Sequence, residues 1–248
     1  MNTLEQILKS AVSDCINEME TRSMVYPRFS FPVDTETACN LLSEAYRQEV
    51  EVRRRTYTGS PVPPGEVQSV ARWLTDPSLK NSLLLYGRPG TGKSTMARAI
   101  RRLALTLRES FGPAGIDRQQ RMRGTFFDPE TRRQYEAMAD RVIVPTFATA
   151  LDLAALAEKD REKFAQLIGV GFLIIDDIGP EPGRVNNYGT EYLPVVEAVQ
   201  ARYDSMRPTI ITTNLGNQEI VNRYGLRVLD RLNEMCERIA YSGPSFRD

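Results

Sequence analysis

The sequence predicts an α/β protein whose parallel sheet is covered by helices on both faces. Three observations carry that expectation. First, four segments are apolar almost throughout: "SLLLYG" (82–87), "RVIVPTFATA" (141–150), "GFLIID" (171–176) and "PTIITTN" (208–214). Strands of that kind are buried on both faces, as in parallel sheets, whereas half-exposed strands alternate apolar and polar residues. Second, these segments alternate with stretches whose apolar residues recur at helical spacing. Third, a glycine-rich turn joins the first strand to the helix after it, an arrangement that gathers backbone amides at a helix start.

The elements follow in order. In "LEQILKSAVSDCINEM" (4–19), Leu4, Ile7, Leu8, Val12 and Ile16 share one helical face. Two prolines in "YPRFSFPVD" (26–34) interrupt that pattern, and Asp34 or Thr35 caps a second helix over 35–55. The Pro- and Gly-rich "TYTGSPVPPGE" (56–66) reads as a linker, which divides the chain into a helical region, 1–60, and a larger domain, 61–248. The helical region reads either as a separate partner-docking module, the reading the linker favours, or as a satellite packed on the larger domain. Within that domain, "VQSVARWL" (67–74) is a short amphipathic helix. Met96, Ala97, Ile100, Leu103, Ala104 and Leu107 line one face of a helix over 94–110, and further helices are expected over 150–168 and 191–206. The connection from about 109 to 141 is too long for a plain loop and reads as an insertion.

Composition narrows the chemistry. The chain has 248 residues, enough for a sizeable core, and a formal net charge of zero, so no overall basic field advertises a polyanionic partner. It contains no histidine, which excludes Ser-His-Asp triads, Cys-His nucleophiles, histidine general bases and zinc sites built on imidazole. Cys15, Cys39 and Cys236 are far apart with no C-x-x-C pair, as suits a reducing compartment. The start lacks a basic segment followed by an apolar one, and no apolar run is long enough to span a bilayer, so the expected location is cytoplasmic.

"YGRPGTGKST" fits G-x-x-x-x-G-K-[ST] at Gly87, Gly92, Lys93 and Ser94, between a predicted strand and a predicted helix. The expected nucleotide cradle runs through Gly87, Pro89, Gly90, Thr91, Gly92, Lys93, Ser94 and Thr95. Glycines let the backbone wrap closely so that amide N–H groups face phosphate oxygens, and the helix start adds its positive end. Lys93 is expected to reach the β- and γ-phosphates of ATP, and the Ser94 hydroxyl to ligate Mg²⁺. "GFLIIDDIGPEP" (171–182) then raises a question of charge, because a buried strand ends on two adjacent carboxylates that repel one another. Beside a phosphate loop, Asp176 is expected to hold Mg²⁺, with the metal and Lys93 supplying the positive charge.

The order "GRPGTGKS", "FLIIDDIG", "TIITTNL", "YGLRVLDRLNEM" and "GPSFR" resembles the AAA+ ATPases of the DnaC/IstB class, helicase loaders and transposition regulators related to DnaA. The resemblance covers about residues 65–248 and implies a three-layer αβα core with a minimal C-terminal lid. By its motif positions, Asn214 is the sensor that orients the attacking water. Asp177 stands where many AAA+ enzymes carry a glutamate, Arg231 is an arginine finger supported by Arg227, and Arg247 is a second sensor. Phe246 departs from the tyrosine often found beside that last arginine. The implied function is an ATP-dependent loader: a homo-oligomer that binds single-stranded DNA and delivers a replicative helicase. An IstB-like regulator that polymerises on duplex DNA and recruits a transposase uses almost the same motifs. A monomeric small-molecule kinase shares only the phosphate loop. Arg118, Arg121 and Arg123 read equally as DNA contacts or as ordinary surface, while Phe126 and Phe127 could stack bases but read more readily as local core. Aspartate at 177 is one methylene shorter than glutamate, which predicts a slow ATPase acting as a timed switch.

Overall fold

The computed structural model describes residues 13, 28–52, 65–124 and 126–243. In chain order these contain helices α1 (Thr35–Glu51) and α2 (Gly65–Thr75), strand β1 (Ser82–Gly87), and helices α3 (Lys93–Phe111), α4 (Pro113–Arg123) and α5 (Pro129–Arg141). Strand β2 (Thr146–Thr149), helices α6 (Ala150–Lys159) and α7 (Arg161–Ile168), strand β3 (Leu173–Ile178), and a hairpin of β4 (Val185–Asn187) and β5 (Thr190–Tyr192) come next. Helix α8 (Pro194–Asp204), β6 (Thr209–Thr213), α9 (Asn217–Tyr224), α10 (Leu226–Met235) and β7 (Cys236–Tyr241) complete the order.

The sheet has five strands in the order β2-β3-β6-β1-β7, all parallel, as the apolar runs predict. Strand β6 therefore lies between β1, which leads into the glycine-rich loop, and β3, which carries the paired acids. In a parallel sheet the carboxyl ends of the strands share one edge, where ligands of such folds bind. Arg202 helps hold this register. Fully buried on α8, its guanidinium donates to Thr209 Oγ1 at 2.8 Å and to the carbonyls of Pro208 and Ile168. These bonds tie the start of β6 to the chain leading into β3.

Strand β7 and the β4–β5 hairpin are among the elements that escaped the sequence pattern. β7 reads "CERIAY", and Glu237 and Arg238 break its apolar run, as charged residues commonly do on an edge strand. The short β4–β5 hairpin lacks any apolar run. The helix expected over 150–168 is two helices, because Asp160 takes extended backbone and its carboxylate caps α7 through Lys163 N–H at 3.0 Å. At α1, Asp34 is the cap, accepting from Thr37 N–H at 2.8 Å.

The described part of 1–60 packs against the residues that follow it. Phe29, Phe31, Ala38, Leu42 and Ala45 are buried in one apolar cluster with Trp73, Leu83 and Met96. Arg28 and Phe31 also hydrogen-bond the chain around Trp73, Leu74 and Lys80. Residues 28–52 thus belong to the core of the larger domain, as in the satellite alternative, since their apolar face has a ready partner in α2 and α3. The helix expected over 4–19, Ser13 apart, residues 53–55 of the second expected helix and residues 56–64 of the expected linker lie outside the described residues. The 109–141 insertion folds as α4 and α5. No helix among the described residues is long and apolar enough to cross a membrane.

Candidate nucleotide site

The glycine-rich loop sits between β1 and α3, where the sequence places it. Gly87 has φ +137°, and a Cβ there would lie 2.2 Å from the carbonyl oxygen of Tyr241 on the neighbouring strand. Gly92 has φ +99°, and a Cβ there would meet the Tyr46 hydroxyl of α1 at 2.1 Å. Both positions need glycine for conformation and for space. Lys93 is buried, and its ammonium donates to the carbonyls of Gly87 at 2.8 Å and Arg88 at 2.7 Å. The Thr91 hydroxyl donates to Arg88 O at 2.9 Å, which tightens the same curl. No side chain caps the start of α3, so its first amides are offered to an anion, while Thr95 in that turn is buried.

The acids follow from the end of β3. Asp176 is buried, and its Oδ1 accepts from the Thr212 hydroxyl of β6 at 2.7 Å. Asp177 has φ +58°, left-handed backbone that is costly for a residue other than glycine. Its N–H donates to the same Thr212 oxygen at 2.7 Å, and its Oδ1 accepts from Asn214 Nδ2 at 3.0 Å. Beyond the pair, the buried Glu181 carboxylate accepts from Gly179 N–H at 2.7 Å and from the Tyr224 hydroxyl at 2.5 Å. Burial, and then that hydrogen bond, hold the Tyr224 phenol well above its ordinary range.

A cation that the sequence did not single out lies beside Asp176: the Nη2 of Arg98 is 3.6 Å from Oδ2, while the Lys93 ammonium donates to carbonyls of its own loop. Arg98 follows Ser94 by four residues on α3, so both face the acid from one side of the helix. Its guanidinium lies over Phe147, and its Nε has no hydrogen-bond partner among the described residues.

Among the described residues no cluster of three or more Asp, Glu, Cys or His side chains could cage a metal. The residues expected to hold the ion are one carboxylate, Asp176, and one hydroxyl, Ser94. Such a sparse oxygen set fits Mg²⁺ held chiefly by nucleotide phosphates and water.

The structure brings together the loop from Gly87 to Thr95, Asp176, Asp177 and Asn214. Arg231 stands apart: only 9% exposed on α10, it lies with its guanidinium 5.4 Å from the ring centre of Tyr203. A head group that enters a neighbouring subunit must be presented at the surface. Arg227, one turn earlier, is exposed. Arg247 lies outside the described residues. Thr212, Arg98 and the Glu181–Tyr224 contact escaped the sequence reading. Only Arg98 had a local signal, its helical spacing from Ser94.

No family model matches the chain, and no curated protein matches it significantly. Solved structures similar to the chain include the following three. A DnaC helicase loader is 19% identical at a TM-score of 0.44, the match covering 75% of this chain and 94% of that one. DnaI is 16% identical at a TM-score of 0.48, covering 88% and 96%. A protein described as a primosome component from Streptococcus pyogenes serotype M3 is 16% identical at a TM-score of 0.41, covering 90% and 87%. Likeness at this level carries no argument about function, which rests on the residues of the site.

Proposed function

We propose that the chain is a slow, Mg²⁺-dependent ATPase that works as a nucleotide switch in a DnaC-like helicase loader. The observation that carries the reading is the convergence, on one edge of one parallel sheet, of an uncapped glycine-rich loop with the Asp176–Asp177–Asn214 group. The loop amides and Lys93 bind the triphosphate. Ser94 and Asp176 hold the metal, which when bound neutralises charge on the transferring phosphoryl group. Asn214, bonded to Asp177, orients the attacking water, and the Asp177 carboxylate accepts its proton. In this reading Arg227 reaches a neighbouring subunit's site and Arg231 supports it from beneath, so that hydrolysis depends on ATP-driven assembly.

Single-stranded DNA is the proposed polymer. Its support is the tip of the α4–α5 insertion, where Arg118, Arg121 and Arg123 are exposed with no ion pair among the described residues. Met122 and Phe126 are exposed beside them, the latter at 93%. Arginines that follow phosphates with an aromatic surface on which bases stack are the usual means of binding single strands.

The deciding experiment combines nucleotide titration, light scattering with an ATP analogue, and capture of a replicative helicase or a transposase by the full chain. ATP-dependent assembly with helicase capture is expected. A strict monomer would sink the assembly reading, and capture of the transposase alone would replace the loader with a transposition regulator.

A further inference from the structure

We infer that Thr212 is a positioning residue that sets both catalytic-site carboxylates through a single hydroxyl, an inference that rests on the ATPase reading above. A hydroxyl has one proton to donate and two lone pairs to accept with. Thr212 donates its proton to Asp176 Oδ1 at 2.7 Å and accepts the Asp177 N–H at 2.7 Å. The side chain is 1% exposed, so no water substitutes readily for either bond.

The register explains why such a group is needed. Ile175 pairs with Ile211, but Ile178 pairs with Thr213, so β3 spends one residue more than β6 across this stretch. The extra residue makes a bulge at the paired acids, and a bulge takes backbone groups out of the regular ladder. The Thr212 oxygen supplies the acceptor for Asp177 N–H and so holds that residue in its left-handed conformation. The donated proton fixes the Asp176 carboxylate by Oδ1 and leaves Oδ2 turned towards Arg98. Asn214, just past the end of β6 and two residues after Thr212, takes the Asp177 side chain. The motif T-x-N at the end of one strand therefore sets backbone and side chain of the acid pair on the next.

Thr212→Val keeps the shape and removes the hydroxyl; Thr212→Ser keeps the hydroxyl. In Thr212→Val, turnover is expected to fall at least about 10-fold, the scale of lost positioning at a reacting group. The Mg²⁺ concentration for half-maximal binding of a fluorescent ATP analogue should rise several-fold. Binding of the analogue in EDTA, which reports the glycine-rich loop, should stay at the wild-type level, and Thr212→Ser should recover most of both losses. Parallel loss of EDTA binding in Thr212→Val, or no rescue by serine, would reduce Thr212 to a packing residue and overturn the inference. Hydrogen exchange at the Asp177 amide supplies a readout without nucleotide: faster in Thr212→Val and slow in Thr212→Ser. Unchanged exchange overturns the clamp whatever the activity, whereas a wild-type protein that binds no ATP analogue refutes the ATPase reading and leaves the exchange result to judge Thr212.

Discussion

The loop between β1 and α3 is shaped by its own backbone, whereas the acid-bearing end of β3 is shaped by side chains from far along the chain. In the loop, Lys93 and Thr91 bond to carbonyls no more than six residues away. Gly87 and Gly92 keep it close to Tyr241 and Tyr46. At the acids, Thr212 and Asn214 reach across from the end of β6, and Tyr224 reaches Glu181 from α9. The loop should therefore fail all at once when its backbone is blocked, while the acids should lose individual functions one bond at a time.

Gly92→Ala tests the first half of that contrast and carries the largest expected effect. The new Cβ meets both an unfavourable φ and the Tyr46 hydroxyl. Nucleotide affinity measured by titration should drop by about 100-fold or more, the size of a lost preorganised oxyanion contact. Adding Tyr46→Phe relieves the contact but not the backbone conformation, so it should restore only part of the loss. Full restoration would assign the whole role of Gly92 to space.

Asp177→Asn tests the second half. It keeps a side-chain oxygen for Asn214 to donate to and removes the negative charge. Turnover should fall by about 100-fold, within the range for loss of a general base, with nucleotide affinity changed by less than about 3-fold. Wild-type turnover in this variant, or tens of turnovers per second in the unmodified protein, would refute the slow-switch reading.

The contrast also explains what was legible in the sequence. The loop follows from local residue types, so "GRPGTGKST" and its strand–helix context were enough to place every member. Asp176 and Asp177 were legible as an oddity of charge, and Asn214 through motif order. Thr212 looked like any other β-branched residue in "TIITTN"; its role exists only because a bulge in β3 brings an N–H and a carboxylate to it. Strand β7 was hidden by its edge position, and the packing of α1 by a Pro-rich stretch that resembled a boundary. For Arg231, motif order suggests a surface role, whereas in the single chain the packing of α10 on α8 leaves it little exposed beside Tyr203.

Tyr224→Phe is a smaller test. It removes the donor to a buried carboxylate that also receives the Gly179 amide. Leaving that oxygen short of a partner should lower stability by about 1–3 kcal/mol in urea unfolding. The loop after β3 would then be tied less firmly to α9, so turnover should fall modestly while nucleotide affinity in EDTA is preserved. Equal loss of both would mean that the two halves of the site are mechanically one.

Arg98→Ala gives the smallest effect on stability and bears most directly on the charge at the end of β3. The contact with Asp176 is long, 3.6 Å, and the Arg98 side chain is 40% exposed, so its loss should cost less than about 1 kcal/mol. Its consequence lies in which cation Asp176 receives. Arg98 and Mg²⁺ are drawn to the same carboxylate oxygen; while the guanidinium is there, a metal must displace it or share the charge. Removing Arg98 should therefore lower the Mg²⁺ concentration for half-maximal nucleotide binding by about 2- to 5-fold, a fraction of the interaction expected between near-surface charges at this distance. Nucleotide binding in EDTA should weaken slightly, because one positive charge has left the edge of the site. Arg98→Lys keeps the charge and should track the wild type on both measurements. If Arg98→Ala instead demands more Mg²⁺, the arginine helps to seat the metal-bound nucleotide, and Asp176 has no competing cation in the free protein.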